Sequence, residues 1–457
     1  MAVAPERIKA GAPVDRATHI APSMPSHQSD WASAFLASQL PREIAHVLGG
    51  PYHVLYPEQI SANVRGFHDA FQASGVDGVI YFGKKANKGA CVVRACAEAG
   101  AGVDVASVGE FVGALAGGVR GANIMVTGPS KSDELLWLAA RHGATVAIDG
   151  LDELARVRAL SERASVDQPV SVVLRLLPDG VVSRFGMTDE EVTRAVANLP
   201  LAGPISLRGF SFHLGGYDAA PRITLARHAI DWCLCAQAAG HRADLVSIGG
   251  GFAVDYVPAD AWNRFRDEYS DAWFHGSAPA LNDSYPYHCA KPGPVMLREI
   301  ADELASVLRR NKIQLAIEPG RALLDQAGCS VFRVQGTKTR ETPTGPYDII
   351  TVDGTSLSLS EQWFNSEYLP DPTLWPPEAG ESTPTTVGAA TCLESDLLSR
   401  RRIPLPRRAK VGDLLIYPNT AGYQMDSNES SFHELPIPPK VVLHNTTHGL
   451  AWTLDKG

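Results

Sequence analysis

The stretch VIYFGKKANKGACV, residues 79–92, joins an apolar, β-rich run to two adjacent lysines and then to a helical pattern. The β-branched and aromatic residues at 79–83 predict a buried strand. Burying a lysine is costly unless the site uses it, so Lys84 and Lys85 at the end of that strand predict a functional pocket. Side chains alternate along a strand, and we therefore expect the two lysines to point to opposite sides and one pocket to use one of them.

The same pattern of strand followed by helix recurs along the chain. The β-rich runs lie near 79–83, 102–106, 122–127, 144–148, 171–176, 205–212, 244–249 and 313–317. Helical patterns separate them, with apolar residues at i, i+3 and i+4. Eight strands alternating with helices predict a (β/α)₈ TIM-type barrel. A doubly wound open sheet is the alternative, and the count of eight favours closure.

After residue 330 the pattern changes to short strand-like runs divided by Pro and Gly, which predicts a C-terminal all-β domain. The resulting plan has a flexible tail (1–30), an N-terminal helix and strand that join the β-domain (31–57), the barrel (58–330) and the β-domain (331–457).

Composition excludes several classes of protein. The 457 residues carry a net charge of −9 with acidic and basic residues mixed, so no basic stripe for nucleic acid is present. No apolar run approaches the ~18 residues that a membrane span requires. The seven cysteines are odd in number and scattered, which argues against a disulfide framework and favours the cytoplasm. The close pair Cys233 and Cys235 does not predict a metal site.

Residues at the carboxyl ends of barrel strands form the active site. At the predicted strand ends lie Lys84, Lys85, Asn87, Asp104, Ser107, Arg175, His213, Gly215, Gly216, Gly249, Gly250, Gly251, Glu318 and Arg321. Each alone is also typical of ordinary structure, since a glycine run often forms a tight turn and a single histidine is often a core residue. Together they predict one pocket with an amine, an imidazole, a carboxylate, a guanidinium and exposed amides.

That set of groups suits pyridoxal 5′-phosphate (PLP). A lysine can bind its aldehyde, and glycine amides with an arginine can hold its phosphate, because close backbone approach requires residues without Cβ. A carboxylate at the pyridine nitrogen keeps the ring protonated, so that it accepts electrons from a substrate carbanion.

Eight motifs occur in a fixed order: KKANK, GVDVAS, RFGM, SFHLGG, SIGGGF, IEPGR, TCLESD and NTAGYQM. In these motifs, over about residues 50–445, the chain resembles the PLP-dependent decarboxylases of the alanine-racemase fold (fold type III), which include ornithine and diaminopimelate decarboxylases. The resemblance implies a barrel plus β-domain and a homodimer with shared active sites. It also implies decarboxylation of an α-amino acid through an external aldimine and a quinonoid.

The resemblance assigns roles to individual residues. Lys85 is the Schiff-base lysine, because it directly precedes Ala-Asn, and we expect burial to lower the pKa of its free amine. His213 stacks on the ring and Glu318 meets the pyridine nitrogen. Asp104 and Arg175 support the cofactor. The phosphate contacts are Gly250, Gly251, Gly320, Arg321 and Tyr423.

Residues of the β-domain complete the implied site. Cys392 corresponds to the family cysteine that enters from the other subunit and protonates the product carbanion. Outside that motif, a cysteine is more often a small buried hydrophobe. The implied substrate contacts are Asp353, Glu394 and Asp396.

The chain departs from the family pattern in several places. Phe82 stands where a tyrosine is usual, Gly216 replaces a phosphate-binding serine, and Leu393 separates Cys392 from the acid that usually follows it directly. Two long segments interrupt the scheme, 253–293 rich in aromatic residues and 361–390 rich in proline. These two segments and the stretch NTAGYQMDSNESSFHELP (419–436) resemble a branch that includes siderophore-pathway decarboxylases more than they resemble ornithine decarboxylase.

Two alternative functions remain open at this point. One is an amino-acid racemase or epimerase on the same fold, although fold-related alanine racemases have an arginine where Glu318 is expected. The other is a non-catalytic PLP-binding protein, which is typically a bare barrel, whereas this chain retains a β-domain with Cys392 and Tyr423.

Overall fold

The computed structural model describes residues 20–164, 168–278, 285–343, 345–359, 367–426 and 431–456. A closed parallel barrel and a mixed β-sheet domain make up the described chain. Its strands are β1 (Tyr52–Leu55), β2 (Gly78–Gly83), β3 (Gly102–Val105), β4 (Ile124–Val126), β5 (Thr145–Ile148), β6 (Val170–Arg175), β7 (Ile205–Ser211), β8 (Leu245–Ser247), β9 (Gln314–Ile317), β10 (Gly328–Arg340), β11 (Tyr347–Val352), β12 (Thr373–Trp375), β13 (Thr383–Gly388), β14 (Leu397–Leu405), β15 (Leu414–Pro418), β16 (Lys440–Thr446) and β17 (Gly449–Leu454).

Strands β2 to β9 form the barrel, in which each strand pairs in parallel with the next and β9 pairs with β2. This closure confirms the predicted (β/α)₈ architecture and rules out the open sheet. Inward side chains from six strands fill the barrel interior, so it is a packed core below the strand ends. They are Tyr81, Met125, Ala147, Val173, Leu245 and Ala316.

Helices surround the barrel and precede it. They are α1 (Asp30–Ala37), α2 (Leu40–Leu48), α3 (Pro57–Ser74), α4 (Ala90–Glu98), α5 (Val108–Ala116), α6 (Asp133–His142), α7 (Leu151–Ala164), α8 (Asp189–Asn198), α9 (Ala219–Ala238), α10 (Ala259–Asp267) and α11 (Gly293–Asn311). Ser132 caps the start of α6 and Gly143 ends it at φ +68°, a conformation that favours glycine. No helix in the described ranges is long and apolar enough to cross a membrane.

The second domain is a nine-stranded sheet in the order β14-β13-β11-β10-β1-β16-β17, with β15 pairing β10 and β12. Its pairs are parallel as well as antiparallel. Strand β1 precedes the barrel in sequence but lies between β10 and β16 in this sheet. The chain therefore leaves this sheet, builds the barrel and returns to the sheet.

The N-terminal residues that the structure describes are packed against the rest of the chain. Met24 is fully buried and its amide donates to Asp371 at 2.7 Å. The guanidinium of Arg401 donates to the carbonyl of Pro22. The expectation of a flexible tail through residue 30 is therefore wrong for residues 20–29, because these contacts hold them, and residues 1–19 lie outside the described ranges.

The aromatic segment 253–293 contains α10 and a network of ring contacts, and its residues 279–284 lie outside the described ranges. Tyr287 stacks edge-on against Tyr368, and Tyr368 against Tyr417 of the β-domain. The segment thus packs the barrel against the β-domain. Part of the Pro-rich segment, 361–366, is also outside the description.

Candidate active site

A cavity of about 450 Å³ opens at the carboxyl ends of the barrel strands. Five of the residues singled out in the sequence line it together: Lys85, Asp104, Arg175, His213 and Glu318. They come from five different strand ends of the barrel, so the closed sheet brings together residues more than 200 positions apart.

The two lysines diverge for a different reason from the one expected. Strand β2 ends at Gly83, and Lys84–Ala86 form a single 3₁₀ turn, so strand alternation does not apply to them. Lys85 reaches into the cavity. Lys84 lies against α5, where its Nζ is 3.4 Å from the position that a Cβ on Gly113 would occupy, and burial lowers its pKa.

The pKa of Lys85 differs in direction from the expected one because of the groups around it. Burial alone would lower its pKa, but electrostatic interactions with Tyr423 and with the carboxyl groups of Asp104, Glu318 and Glu110 raise the pKa above the ordinary value. The prediction of a lowered pKa considered burial and left out the carboxylates that share the cavity. The lysine with a lowered pKa is its neighbour.

Two of the three carboxylates that line the cavity, Asp104 and Glu318, are each held by a hydroxyl. Thr127 donates to Asp104 at 2.6 Å, and Ser247 donates to Glu318 at 2.6 Å. Burial raises the pKa of both acids, with repulsion from Glu318 adding to the effect on Asp104. A raised pKa allows a carboxyl group to hold or release a proton near neutral pH.

His213 is held as a neutral imidazole. The amide of Gly250 donates to its Nδ1 at 3.3 Å, which leaves the proton on Nε2. Burial, followed by the positive charges of Lys85, Arg175 and Arg222, lowers its pKa to about 4. The ring therefore presents a flat, uncharged face at neutral pH.

Arg175 is oriented by an ion pair and by an aromatic ring. Its guanidinium lies 3.2 Å from Asp149 and 4.4 Å from the ring centroid of Phe185. Arg184 stacks on the same ring at 4.3 Å and also lines the cavity. This wall of the cavity is therefore cationic and opposes the acids.

The predicted glycines lie where the backbone is too crowded for a side chain. A Cβ on Gly250 would be 2.8 Å from the carbonyl oxygen of Glu318, and one on Gly320 would be 2.9 Å from the hydroxyl of Tyr423. Gly251 has φ +82°. These three positions favour glycine, because protein atoms crowd the space that a Cβ would fill or because φ is positive.

Arg321 and Tyr423 lie beside the glycines. The guanidinium of Arg321 is buried between the rings of Tyr285, at 4.4 Å, and Tyr423, at 4.9 Å, and donates to the carbonyl of Gly422 at 2.8 Å. The barrel thus supplies the arginine and the β-domain supplies part of its surroundings.

The turn that carries Lys85 is bonded directly to the β-domain. Asn87 donates to the carbonyl of Ala421 at 2.8 Å, and the amide of Lys88 donates to Asp426 at 2.6 Å. The ammonium of Lys440 reaches both Asn87 and Asp426. The KKANK motif therefore contributes the cavity amine and also fastens the two domains.

The structure does not place the other predicted β-domain residues in this cavity. Cys392 is exposed, with its Sγ 3.1 Å from Nε2 of His433. The side chain of Glu394 is 99% exposed. Asp396 accepts from the amide of Ser356 at 2.9 Å.

Asp353 also lies within the β-domain. It accepts from the amide of Arg333 at 2.8 Å, and burial raises its pKa to about 6. The roles expected for Asp353 and for the residues around Cys392 stay predictions.

Several neighbours of the cavity residues were missed in the sequence. Thr127 and Ser247 carried a usable signal, since each is a polar residue at the end of an apolar strand run. Arg222 lies on α9 and Tyr285 in the aromatic segment, where no local pattern marks them. Their positions become evident when the elements pack together.

Comparisons with known proteins agree with this architecture. The family model described as "Pyridoxal-dependent decarboxylase, pyridoxal binding domain" matches residues 58–325. An uncharacterized Sinorhizobium fredii protein, y4yA, is 32% identical over 416 residues, covering 88% of this chain and 89% of that protein. Diaminopimelate decarboxylase of Actinosynnema pretiosum is 27% identical over 424 residues, covering 87% and 85%.

A solved structure shows the same fold. Diaminopimelate decarboxylase from M. jannaschii, determined in co-complex with L-lysine, has a TM-score of 0.73 at 19% identity, with 94% of each chain covered. The chain belongs to the fold type III family of PLP-dependent decarboxylases that act on amino acids such as ornithine, arginine and diaminopimelate. The matched domain indicates PLP as the cofactor.

The residues present fit that cofactor. The cavity contains an amine for an aldehyde, a buried carboxylate for a pyridinium nitrogen and a neutral imidazole ring. Beside it lie glycines that tolerate no Cβ and a buried arginine, which suit a phosphate. Within the described ranges no cluster of His, Cys, Asp and Glu is suited to a metal ion.

Proposed function

We propose that this chain is a PLP-dependent decarboxylase of an α-amino acid. The observation that carries the proposal is the placement of Glu318, a carboxylate held by Ser247, in the same cavity as Lys85. PLP, when bound, withdraws electrons from the α-carbon of an attached amino acid, and a carboxylate at its ring nitrogen strengthens that withdrawal.

Each cavity residue has a defined task in this proposal. Lys85 would hold the aldehyde carbon, and its amine, whose pKa is raised, must first release a proton. Glu318 would hold a proton at the pyridine nitrogen. His213 would pack its neutral ring against the cofactor, where this uncharged face would exclude water from one side.

The phosphate end of the cofactor lies at the glycines in this proposal. The residues that would hold it are Gly250, Gly251, Gly320, Arg321 and Tyr423. Asp104 and Arg175 line the cavity and would support the cofactor.

The chain is also proposed to act as a homodimer in the cytoplasm. The exposed thiol of Cys392 does not line the cavity of its own chain, so its proposed role as proton donor requires the pocket of a second subunit. A pathway role in siderophore synthesis stays a prediction from the sequence.

The test is an amino-acid panel incubated with the PLP-loaded protein, with release of CO₂ and loss of optical activity measured in parallel. Because relatives are named diaminopimelate decarboxylases, the panel begins with the three stereoisomers of diaminopimelate and with both enantiomers of lysine, ornithine and arginine. CO₂ release from one of them is the expected result. Racemisation without CO₂ would establish the alternative activity, and PLP binding with neither reaction would favour the non-catalytic reading.

A further inference from the structure

Arg222, on the first turn of α9, is a buried cation on which Asp218, at the N-cap of that helix, acts electrostatically without forming an ion pair. It is 1% exposed, and it makes no ion pair with a carboxylate in the described ranges. Its guanidinium donates instead to backbone carbonyls. A buried charge of this kind is costly unless an anion lies close to it.

The carbonyls belong to the two loops at the proposed phosphate end of the cavity. Nη2 donates to Leu214 at 3.0 Å and to Gly216 at 2.8 Å, both in the loop after β7. Nε and Nη2 each lie 3.4 Å from the carbonyl of Gly250 in the loop after β8. One side chain therefore joins both loops.

These bonds also orient amides. In a planar trans peptide the N–H points away from the C=O, so the N–H groups of Gly215, Tyr217 and Gly251 face away from the guanidinium. Within the described ranges none of these three amides donates a hydrogen bond to the protein. They are donors that remain available to a ligand.

The local backbone is shaped around Arg222. Gly216 and Gly251 have φ of +74° and +82°, and a Cβ on Gly251 would lie 2.0 Å from Nη2. Gly216 stands where the resembling family has a phosphate-binding serine, so this chain lacks that hydroxyl donor. The absence of a Cβ at Gly251 permits the guanidinium to contact the loop after β8.

We propose that Arg222 is a positioning residue for the cofactor phosphate: it holds both loops so that their free amides face the phosphate, and its buried charge stabilises the dianion. The inference rests on the proposed PLP function. It does not require Arg222 to touch the phosphate.

The experiment compares PLP with pyridoxal, which has the same aldehyde and ring but no phosphate. Dissociation constants of both are measured on apo protein from the absorbance of the lysine-bound compound. The variants are Arg222→Met, Arg222→Lys and the matched control Arg227→Met, which removes an exposed arginine on the same helix. Thermal unfolding checks that each variant is folded.

For Arg222→Met the dissociation constant of PLP should rise roughly 10- to 100-fold, the range for a lost charge-assisted interaction, while that of pyridoxal changes less than about twofold. Arg227→Met should change neither. Arg222→Lys keeps the charge and favours folding, but its single ammonium cannot bridge both loops, so it should also lose part of the preference for PLP.

Equal weakening of PLP and pyridoxal would make Arg222 merely structural and overturn the proposal. An unchanged ratio of the PLP and pyridoxal dissociation constants in Arg222→Lys would also overturn the proposal. This variant decides the question if Arg222→Met does not fold. A wild-type protein that binds neither compound would instead overturn the proposed cofactor, so the two failures are distinguishable.

Discussion

The barrel cavity holds its reactive groups buried, whereas the loop that carries Cys392 holds them exposed. In the barrel, Asp104 and Glu318 are buried and each is fixed by a hydroxyl from a neighbouring strand end. In the loop, Cys392 is exposed and lies against an exposed histidine, His433. Strand ends fix side chains within one chain, whereas the loop presents its groups outward, as a surface that completes another pocket would.

The largest expected effect concerns the amine of Lys85 in the barrel cavity. Lys85→Ala should abolish covalent attachment of PLP, because no other lysine lines the described cavity, while Lys84→Ala should retain it. Borohydride reduction followed by peptide mass spectrometry measures the attachment. Attachment that persists in Lys85→Ala and disappears in Lys84→Ala would reverse the assignment.

The second effect concerns the carboxylate of Glu318. Glu318→Gln should lower kcat by roughly 10²-fold, because a preorganised charge near the ring acts mainly in the transition state. Ser247→Ala removes the hydrogen bond but keeps the charge, and its loss should be roughly 10-fold or less. Steady-state kinetics provide the comparison. An unchanged kcat in Glu318→Gln would remove this residue from the pyridine nitrogen.

The third prediction tests whether the loop serves a second chain. The inactive Lys85→Ala and Cys392→Ala proteins are mixed under conditions of subunit exchange. The mixture should recover roughly a quarter of wild-type activity. Half of the dimers would then be heterodimers, and each heterodimer would contain one intact site of two. Cys392→Ala alone should bind PLP normally. Exchange without recovered activity would place both groups of one site in the same chain.

The smallest effect is a change of rate with pH. Asp104 is among the charges that raise the pKa of Lys85, so Asp104→Asn should lower that pKa and increase the fraction of neutral amine at pH 7. PLP should then attach a few-fold faster, and the rate should level off at a lower pH than in the wild type. Stopped-flow absorbance measures both.

Thr127→Val is the control for that experiment, because it removes the hydrogen bond to Asp104 and keeps the carboxyl group. It should change the rate less than Asp104→Asn does. Slower attachment in Asp104→Asn at every pH would indicate that this acid takes the proton from the lysine.

The difference between strand ends and other parts of the chain also explains what could be predicted from the sequence. The barrel and the grouping of Lys85, His213 and Glu318 follow from strand ends, because parallel strands that close a barrel bring their carboxyl ends to one rim. The charge of Lys85 did not follow, since its pKa depends on the sum of several neighbours. The divergence of the two lysines was expected for the wrong reason, because the strand ends one residue before Lys84.

Contacts that arise from packing between elements carried no sequence signal. Arg222 lies on a helix, and its role depends on how α9 meets two loops that follow different strands. Tyr285 reaches Arg321 from a long segment whose path no periodic pattern defines. The roles of such side chains become evident only from their three-dimensional contacts.

The bonds from Asn87 and Lys88 to the β-domain have a consequence for protein engineering. The turn that presents Lys85 is held by the carbonyl of Ala421 and the carboxylate of Asp426, which are encoded more than 300 positions later. Excising the barrel or joining it to a foreign sheet would therefore remove the bonds that hold this turn. A chimera that keeps this lysine in register must carry residues 419–426 with it.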